Sequence, residues 1–153
     1  MQVEIIPYSP ELKEHLKTLN YAWLEAYFRV EEGDRISLSN PEASIIDPGG
    51  FIFFARYGEV IAGTASLLKK SETVFELGKM AVAKSLQGMG IGKVLLEHCL
   101  DFAKEKGIRT LILYSNTLLE PAIHLYRTYG FEEIPLEPGV YERGNIKMEK
   151  KLF

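Results

Sequence analysis

Between Val82 and Val94 the chain reads Gln87-Gly88-Met89-Gly90-Ile91-Gly92-Lys93, three glycines at alternate positions followed at once by a helical pattern. Glycine's backbone freedom lets several N–H groups converge in such a turn. The first turn of a helix adds N–H groups without intrahelical partners, at the positive end of the helix dipole. The chemistry suited to this arrangement is anion binding, phosphate above all. Two well-known phosphate loops do not fit. A Walker A loop requires G-x-x-x-x-G-K-[ST]; the stretch from Gly88 to Gly92 is one residue short, and Val94 stands where the metal-binding hydroxyl belongs. A dinucleotide fingerprint requires G-x-G-x-x-G, and Lys93 occupies the place of its third glycine. A strand–helix connection without a ligand is also compatible with the run. Other reactive side chains offer less. Cys99 lies mid-helix with no electropositive loop beside it, a packed thiol rather than a nucleophile. His98 and His15 fall on apolar helical faces and read as core histidines, and His124 has no second His at metal spacing. No metal site is predicted.

The elements that must position this turn follow from periodicity. Val3-Glu4-Ile5-Ile6 alternates as a first strand ending at Pro7. Ser9-Pro10-Glu11 reads as a helix start, with Ser as N-cap and Pro at the first helical position, and Leu12, Leu16, Leu19 and Trp23 form its buried stripe. Residues 29–50 are polar with scattered Gly and Pro, a loop with at most a short helix over 41–46. Strands follow over 51–56 and 60–67 around a turn at Tyr57-Gly58-Glu59, then over 73–82, where Gly78 predicts a bulge or close backbone approach. The helix after the glycine run presents Ile91, Val94, Leu95, His98 and Phe102 and stops at Gly107. Thr110-Leu111-Ile112-Leu113-Tyr114 is a short buried strand. A helix opened by Pro121 and closed by Gly130 carries Ala122, Leu125, Tyr126 and Tyr129, and strands 131–134 and 146–150 form a closing hairpin. The order β-α-(α)-β-β-β-α-β-α-β-β predicts a mixed sheet with helices on its faces, an α/β or α+β domain.

Composition narrows the functional classes. The chain has 153 residues, 46% hydrophobic and 25% charged, which predicts one globular domain, 1–153, with an ordinary core. A single cysteine excludes an internal disulfide framework or a multi-cysteine metal site and points to a reducing compartment. The N-terminus shows no basic region followed by an apolar run, so no signal peptide is expected, and no uncharged apolar stretch is long enough to span a membrane. The expected location is cytoplasmic. With a net charge of −3 and a pI near 5.7 the chain lacks the basic footprint of a general nucleic-acid binder.

Gln87, Gly90 and Gly92, spaced Q-x-x-G-x-G after a strand ending Met80-Ala81-Val82, resemble the acetyl-CoA loop of the GNAT N-acetyltransferase superfamily. Downstream, Asn116, Ala122, Leu125-Tyr126 and Tyr129-Gly130-Phe131 are similar to that family's second motif, and Tyr141-Glu142-Arg143 to Met148-Glu149-Lys150 resembles its final hairpin. The likeness covers 51–152; residues 1–50 match in element order only. It implies a mostly antiparallel mixed sheet with a central splayed parallel pair, here 73–82 and 110–114, flanked by about four helices. It implies acetyl-CoA as co-substrate, held by a core over 73–131. The backbone at Met80, Ala81 and Val82 would bind the pantetheine arm and polarise the thioester. The amides of Gln87, Gly88, Met89, Gly90, Ile91, Gly92 and Lys93 would hold the pyrophosphate, with Asn116, Ala122 and Tyr126 beside the arm. Lys84 and Lys93 either add charge or remain solvated, and Asn116 could equally cap a strand end.

Acetyl transfer to an amine requires a base for the ammonium proton, donors for the developing oxyanion, and a proton for the leaving thiolate. The resemblance assigns the base to Glu76, four residues before Met80, and the acid to Tyr126, a phenol that stays protonated at neutral pH. The alternatives are a water chain in place of Glu76, with the carboxylate merely salt-bridged, and simple packing for Tyr126. An amine acceptor is expected between the helices and loop of 1–50 and the closing hairpin, where Tyr21, Tyr27, Phe28, Arg29, Tyr141 and Arg143 are candidates and Trp23 is assigned to the core. A second reading keeps the fold as a non-catalytic CoA-binding sensor. Homodimers are common in the family, although no residue here specifies an interface. The charge is polarised: 1–50 carries 4 basic and 9 acidic residues, 51–110 carries 9 and 6. The acidic cluster Glu31, Glu32 and Asp34 therefore predicts a cationic acceptor, drawn by long-range steering.

Overall fold

The computed structural model describes residues 2–153. Its strands are β1 (Val3–Pro7), β2 (Phe51–Tyr57), β3 (Val60–Lys69), β4 (Val74–Val82), β5 (Thr110–Ser115), β6 (Glu132–Ile134) and β7 (Ile146–Lys151). Its α-helices are α1 (Lys13–Tyr27), α2 (Glu32–Ser39), α3 (Ile91–Glu105) and α4 (Glu120–Thr128), with a π-helical turn at Glu42–Ile46. The strands form one sheet in the order β1-β2-β3-β4-β5-β7-β6, in which β4 and β5 are the parallel neighbours and the other pairs run antiparallel. This is the mixed α/β arrangement expected. β7 lies between β5 and β6, so the closing hairpin folds its last strand inward.

Alternation divides the core between the two faces of the sheet. On β2, Phe53 and Ala55 join the cluster under α3, whereas Ile52 and Phe54 join the cluster under α1 and α2. From α3, Ile91, Leu95, Leu96, Cys99 and Ala103 are buried, and each large apolar side chain among them contributes about 1.5–3 kcal/mol. On α1 the buried residues are Leu16, Asn20 and Leu24, spaced four apart. Of the expected stripe of Leu12, Leu16, Leu19 and Trp23, Leu16 is fully buried, Leu12 and Trp23 are half-buried against the same cluster and Leu19 is half-buried, while His15 lies outside the core. Ser9 has extended backbone but its hydroxyl makes no capping bond, and its segment begins as a 3₁₀ turn, Pro10–Leu12.

Residues 29–50 are not simply a loop. Helix α2 starts with an acidic capping box: the Glu31 side chain accepts from the backbone of Asp34, and the Glu31 N–H donates to Asp34 Oδ2 at 2.9 Å. Acids in both positions, instead of the usual Ser/Thr followed by Glu, hid this start from the sequence. Tyr141-Glu142-Arg143, expected in the closing hairpin, lies in the loop that joins β6 to β7.

The distortion that opens the sheet is in β4. Ser66 pairs with Gly78 and Thr64 with Ala81, so β4 carries an extra residue over that span, a bulge at Lys79–Met80 rather than at Gly78 itself. Lys79 has φ +49, the left-handed conformation that non-glycine residues rarely take. On the other side, β4 and β5 pair only at Val74–Thr110, Phe75–Leu111 and Glu76–Ile112. Beyond Glu76 the parallel strands separate.

Candidate active site

A cavity of about 680 Å³ occupies the space left by that separation. Its walls are residues 77–82 of β4, the ends of β5 and α1, the inner side of α4, the glycine turn and the loop at 141–144. Because β4 has no partner on its β5 side beyond Glu76, peptide groups there are available to a ligand lying along the strand. The cavity therefore joins an unpaired strand edge to an anion-binding turn, a combination that fits a long ligand with amide groups and a phosphate end.

At the anion end, Gly90 is the N-cap of α3 with φ +83, and Gly88 has φ +86. The first intrahelical bond is that of Val94 to the Gly90 carbonyl, so the N–H groups of Ile91, Gly92 and Lys93 have no helical partner. Gln87, Gly88, Gly90, Ile91, Gly92 and Lys93 all line the cavity; Met89 is exposed outside it. The Gln87 side chain donates to the Val82 carbonyl at 3.1 Å and accepts from Tyr27 at 3.4 Å, which ties the turn to β4 and to α1. Substituting Gly90→Ala introduces a Cβ in the left-handed region at about 1–2 kcal/mol. With acetyl-CoA as the ligand that the resemblance implies, the expected result is a roughly tenfold weaker Kd by titration calorimetry, as the turn relaxes away from its anion-binding shape.

Along the strand, Met80, Ala81 and Val82 line the cavity, as do Asn116, Ala122 and Tyr126. Asn116 donates to the Arg143 carbonyl at 2.7 Å and accepts from the Leu118 N–H at 2.9 Å, the strand-end cap considered as its second role. Tyr126 packs edge-on against Phe131, its hydroxyl has no hydrogen-bond partner among the described residues, and burial pushes its pKa up to about 12. It holds its proton throughout the neutral range.

Glu76 is 2% exposed and also lines the cavity. The Tyr141 hydroxyl donates to its Oε2 at 3.0 Å, and Lys70 Nζ stands 3.1 Å from Oε1. Gly78 makes room for this carboxylate, since a Cβ there would come within 3.1 Å of Glu76 Oε2. Burial and the neighbouring Glu76 carboxylate together push the Tyr141 phenol far above its ordinary range.

Next to this pair lies an ionic cluster. Arg143 grips Asp34 through Nη1 at 2.8 Å and Nη2 at 3.0 Å, and its Nη1 also reaches Glu31 Oε2 at 2.8 Å. Lys79 Nζ is 3.2 Å from Asp34 Oδ1. Burial alone would raise the Asp34 pKa. The Arg143 hydrogen bonds, the Glu31 N–H and the charges of Lys79 and Arg143 outweigh it and hold the carboxyl below its usual range. Glu31 and Asp34, expected to present free negative charge to the acceptor, are thus already paired, and exposed Glu32 pairs with Arg35. Lys79 had no signal in the sequence beyond its place after Gly78.

The remaining candidates lie elsewhere. Cys99 is fully buried, and burial raises its thiol to about 12, as for a packed side chain. His98 lies between Phe53 and Phe102 with a buried Nε2 that has no partner, so it is a core histidine but not a satisfied one. His15 is exposed, contrary to the core placement expected of it, and His124 lies exposed at the cavity rim. Among the described residues there is no group of three His, Cys, Asp or Glu able to hold a metal, and no helix is long and apolar enough to cross a membrane.

A split parallel pair, a left-handed bulge and a glycine-capped helix all face one cavity of an α/β fold. Residues 12–131 match the sequence model of the Acetyltransferase (GNAT) family, and the chain belongs to it. The chain is 43% identical over 72 residues to a streptothricin acetyltransferase from Streptomyces lavendulae, covering 47% of this chain and 38% of that protein. It spans between 24% and 41% of the lengths of the first curated relatives. A GNAT acetyltransferase structure from Staphylococcus aureus Mu50 superposes with a TM-score of 0.87 at 25% identity, covering 99% of this chain and 100% of that one. The fold is also that of yncA from Salmonella typhimurium, solved with its cofactor acetyl-CoA (TM-score 0.76, 20% identity, 100% and 95% covered).

Proposed function

We propose that this chain is an acetyl-CoA-dependent N-acetyltransferase acting on a primary amine by direct attack in a ternary complex, without a covalent enzyme intermediate. The observation that carries this reading is that Glu76, Tyr126, the unpaired edge of β4 and the glycine turn all face one cavity. When bound, acetyl-CoA supplies the acetyl group as an activated thioester. Residues 73–131 form the part that receives it, with the peptide groups of Met80, Ala81 and Val82 along the pantetheine arm and the amides of the turn and first helical residues at the pyrophosphate. Residues 1–50 and the 141–144 loop form the acceptor side.

Each protein group then has one task. Glu76 takes a proton from the acceptor ammonium, leaving a nucleophilic amine, while Tyr141 holds the carboxylate in place. Tyr126 keeps its phenolic proton ready for the departing sulfur. The backbone N–H groups of the β4 edge supply the donors that developing negative charge on oxygen requires.

The test is thiol release from acetyl-CoA with a panel of primary amines, comparing the wild type with Tyr126→Phe. The expected result is amine-dependent turnover that falls about 100-fold in the variant, with acetyl-CoA affinity unchanged. Binding of acetyl-CoA without turnover on any amine would instead make the chain a cofactor sensor.

A further inference from the structure

The acceptor side of the cavity shows which amines suit it, an inference that rests on the activity proposed above. We propose that the acceptor is a primary monoamine carried on an aromatic or similarly flat apolar body, and that Asn20 is the residue that orients it. Trp23 and Phe28 form one wall, their rings 5.7 Å apart between centroids, and Tyr27, 5.6 Å from Trp23, continues it toward the glycine turn. Tyr114 and Tyr141, edge to face at 5.5 Å, line the same cavity. Rings of this kind bury large apolar area and favour stacked or edge-on aromatic partners.

The ionic groups on this side are matched among themselves. Glu31, Asp34 and Glu76 face Arg143, Lys79 and Lys70, each carboxylate in contact with at least one of these cations. A second ammonium on the acceptor, as in a polyamine, would compete with Arg143 or Lys79 for a carboxylate already hydrogen-bonded. A carboxylate on the acceptor, as in an amino acid, would compete with Asp34 for Arg143. Either extra charge would be desolvated without a free partner, which disfavours it.

Asn20 supplies the remaining polar contact. It lies in the middle of α1, 3% exposed, between buried Leu16 and Leu24 in the helical stripe, where an apolar residue would be expected. Its amide nitrogen donates to the Leu16 carbonyl at 2.9 Å, and its Oδ1 accepts no hydrogen bond from the described residues although Asn20 lines the cavity. The side-chain oxygen of a buried residue, without a partner and in a cavity wall, is an acceptor for a ligand N–H. Asn20 and Glu76 line the same cavity, and the proposal gives the first the task of holding the amine and the second that of receiving its proton.

The experiment measures kcat/KM of the full chain with phenethylamine, spermidine and phenylalanine as acceptors, with calorimetric binding of acetyl-CoA in parallel and thermal denaturation of each variant. Phenethylamine is expected to exceed both other acceptors at least tenfold. Asn20→Leu is expected to raise its KM about tenfold while acetyl-CoA affinity stays the same and Tm does not fall. A preference for spermidine or phenylalanine, or an Asn20→Leu variant with unchanged KM, overturns this inference and leaves the acetyltransferase reading standing. If acetyl-CoA binds and no amine in a broader panel is acetylated, both readings fail.

Discussion

Replacing Glu76 by glutamine is expected to lower kcat/KM for amine acetylation by about 10²–10⁴, the range general acid–base groups contribute. Acetyl-CoA affinity should remain at the wild-type value, because the unpaired β4 edge and the glycine turn do not depend on this side chain. The Glu76→Gln substitution is close to isosteric. The amide oxygen it introduces would still accept a hydrogen bond from Tyr141, and Lys70, which is 45% exposed at its side chain, can turn to water when its partner loses charge. The fold should therefore survive, and circular dichroism and Tm would separate a chemical defect from a structural one. Steady-state kinetics at saturating acetyl-CoA would read the loss. A Glu76→Gln variant with the wild-type rate would transfer the proton-accepting task to a water chain.

Asp34→Ala is expected to produce the largest loss of stability, about 3 kcal/mol, because it leaves the nearly buried Lys79 without its carboxylate partner and Arg143 with Glu31 alone. Arg143 and Lys79 both converge on this carboxylate, which is 1% exposed, and without it the two like charges beside the Tyr141 ring lose the anion between them. For a domain of this size the loss corresponds to a fall in Tm of about 10 °C. The sign with pH follows from the depressed carboxyl pKa. The stabilisation is complete above the unfolded value of about 4 and is lost as pH falls through the lower folded value. Urea denaturation between pH 3 and 7 would show this arm in the wild type and not in Asp34→Ala. The variant should also lose activity, since the same cluster holds the 141–144 loop and, through Tyr141, the Glu76 carboxylate.

The two substitutions separate two layers of the site. In the proposed mechanism Glu76 acts on the acceptor, whereas Asp34 acts through Arg143 and Tyr141 and is a positioning residue. The layers meet at β4, which carries Glu76 before the separation of the parallel strands and Lys79 on the bulge beyond it. The left-handed Lys79 backbone directs the bulge, and the buried ion pair to Asp34 offsets part of the conformational cost of holding a lysine there.

What was legible in the sequence was local. Alternating glycines before a helical stripe predict the anion turn, and the structure places φ values of +86 and +83 at Gly88 and Gly90, conformations that only glycine adopts without strain. Pro121 and Gly130 bracket α4, and the apolar runs of β2, β3 and β5 mark central strands, because capping, turn chemistry and burial period all act within a few residues. The errors were local too. A helix start built from two acids lacks the hydroxyl cap that marks most helix starts, and the buried stripe of α1 keeps the expected Leu16 but runs on through Asn20 and Leu24, because a polar residue occupies an apolar place.

Tertiary structure alone decided the rest. The separation of β4 from β5 after Glu76 depends on where two strands from different parts of the chain stop pairing, which no periodicity in either strand records. The contacts of Asp34 with Lys79 and Arg143 bridge 45 and 109 residues of chain, and they convert an acidic cluster that looked like a bait for cations into an internal brace. The reason is physical: a side chain's charge is readable from its type, but whether that charge faces a ligand or a neighbour depends on contacts made only after the chain has folded.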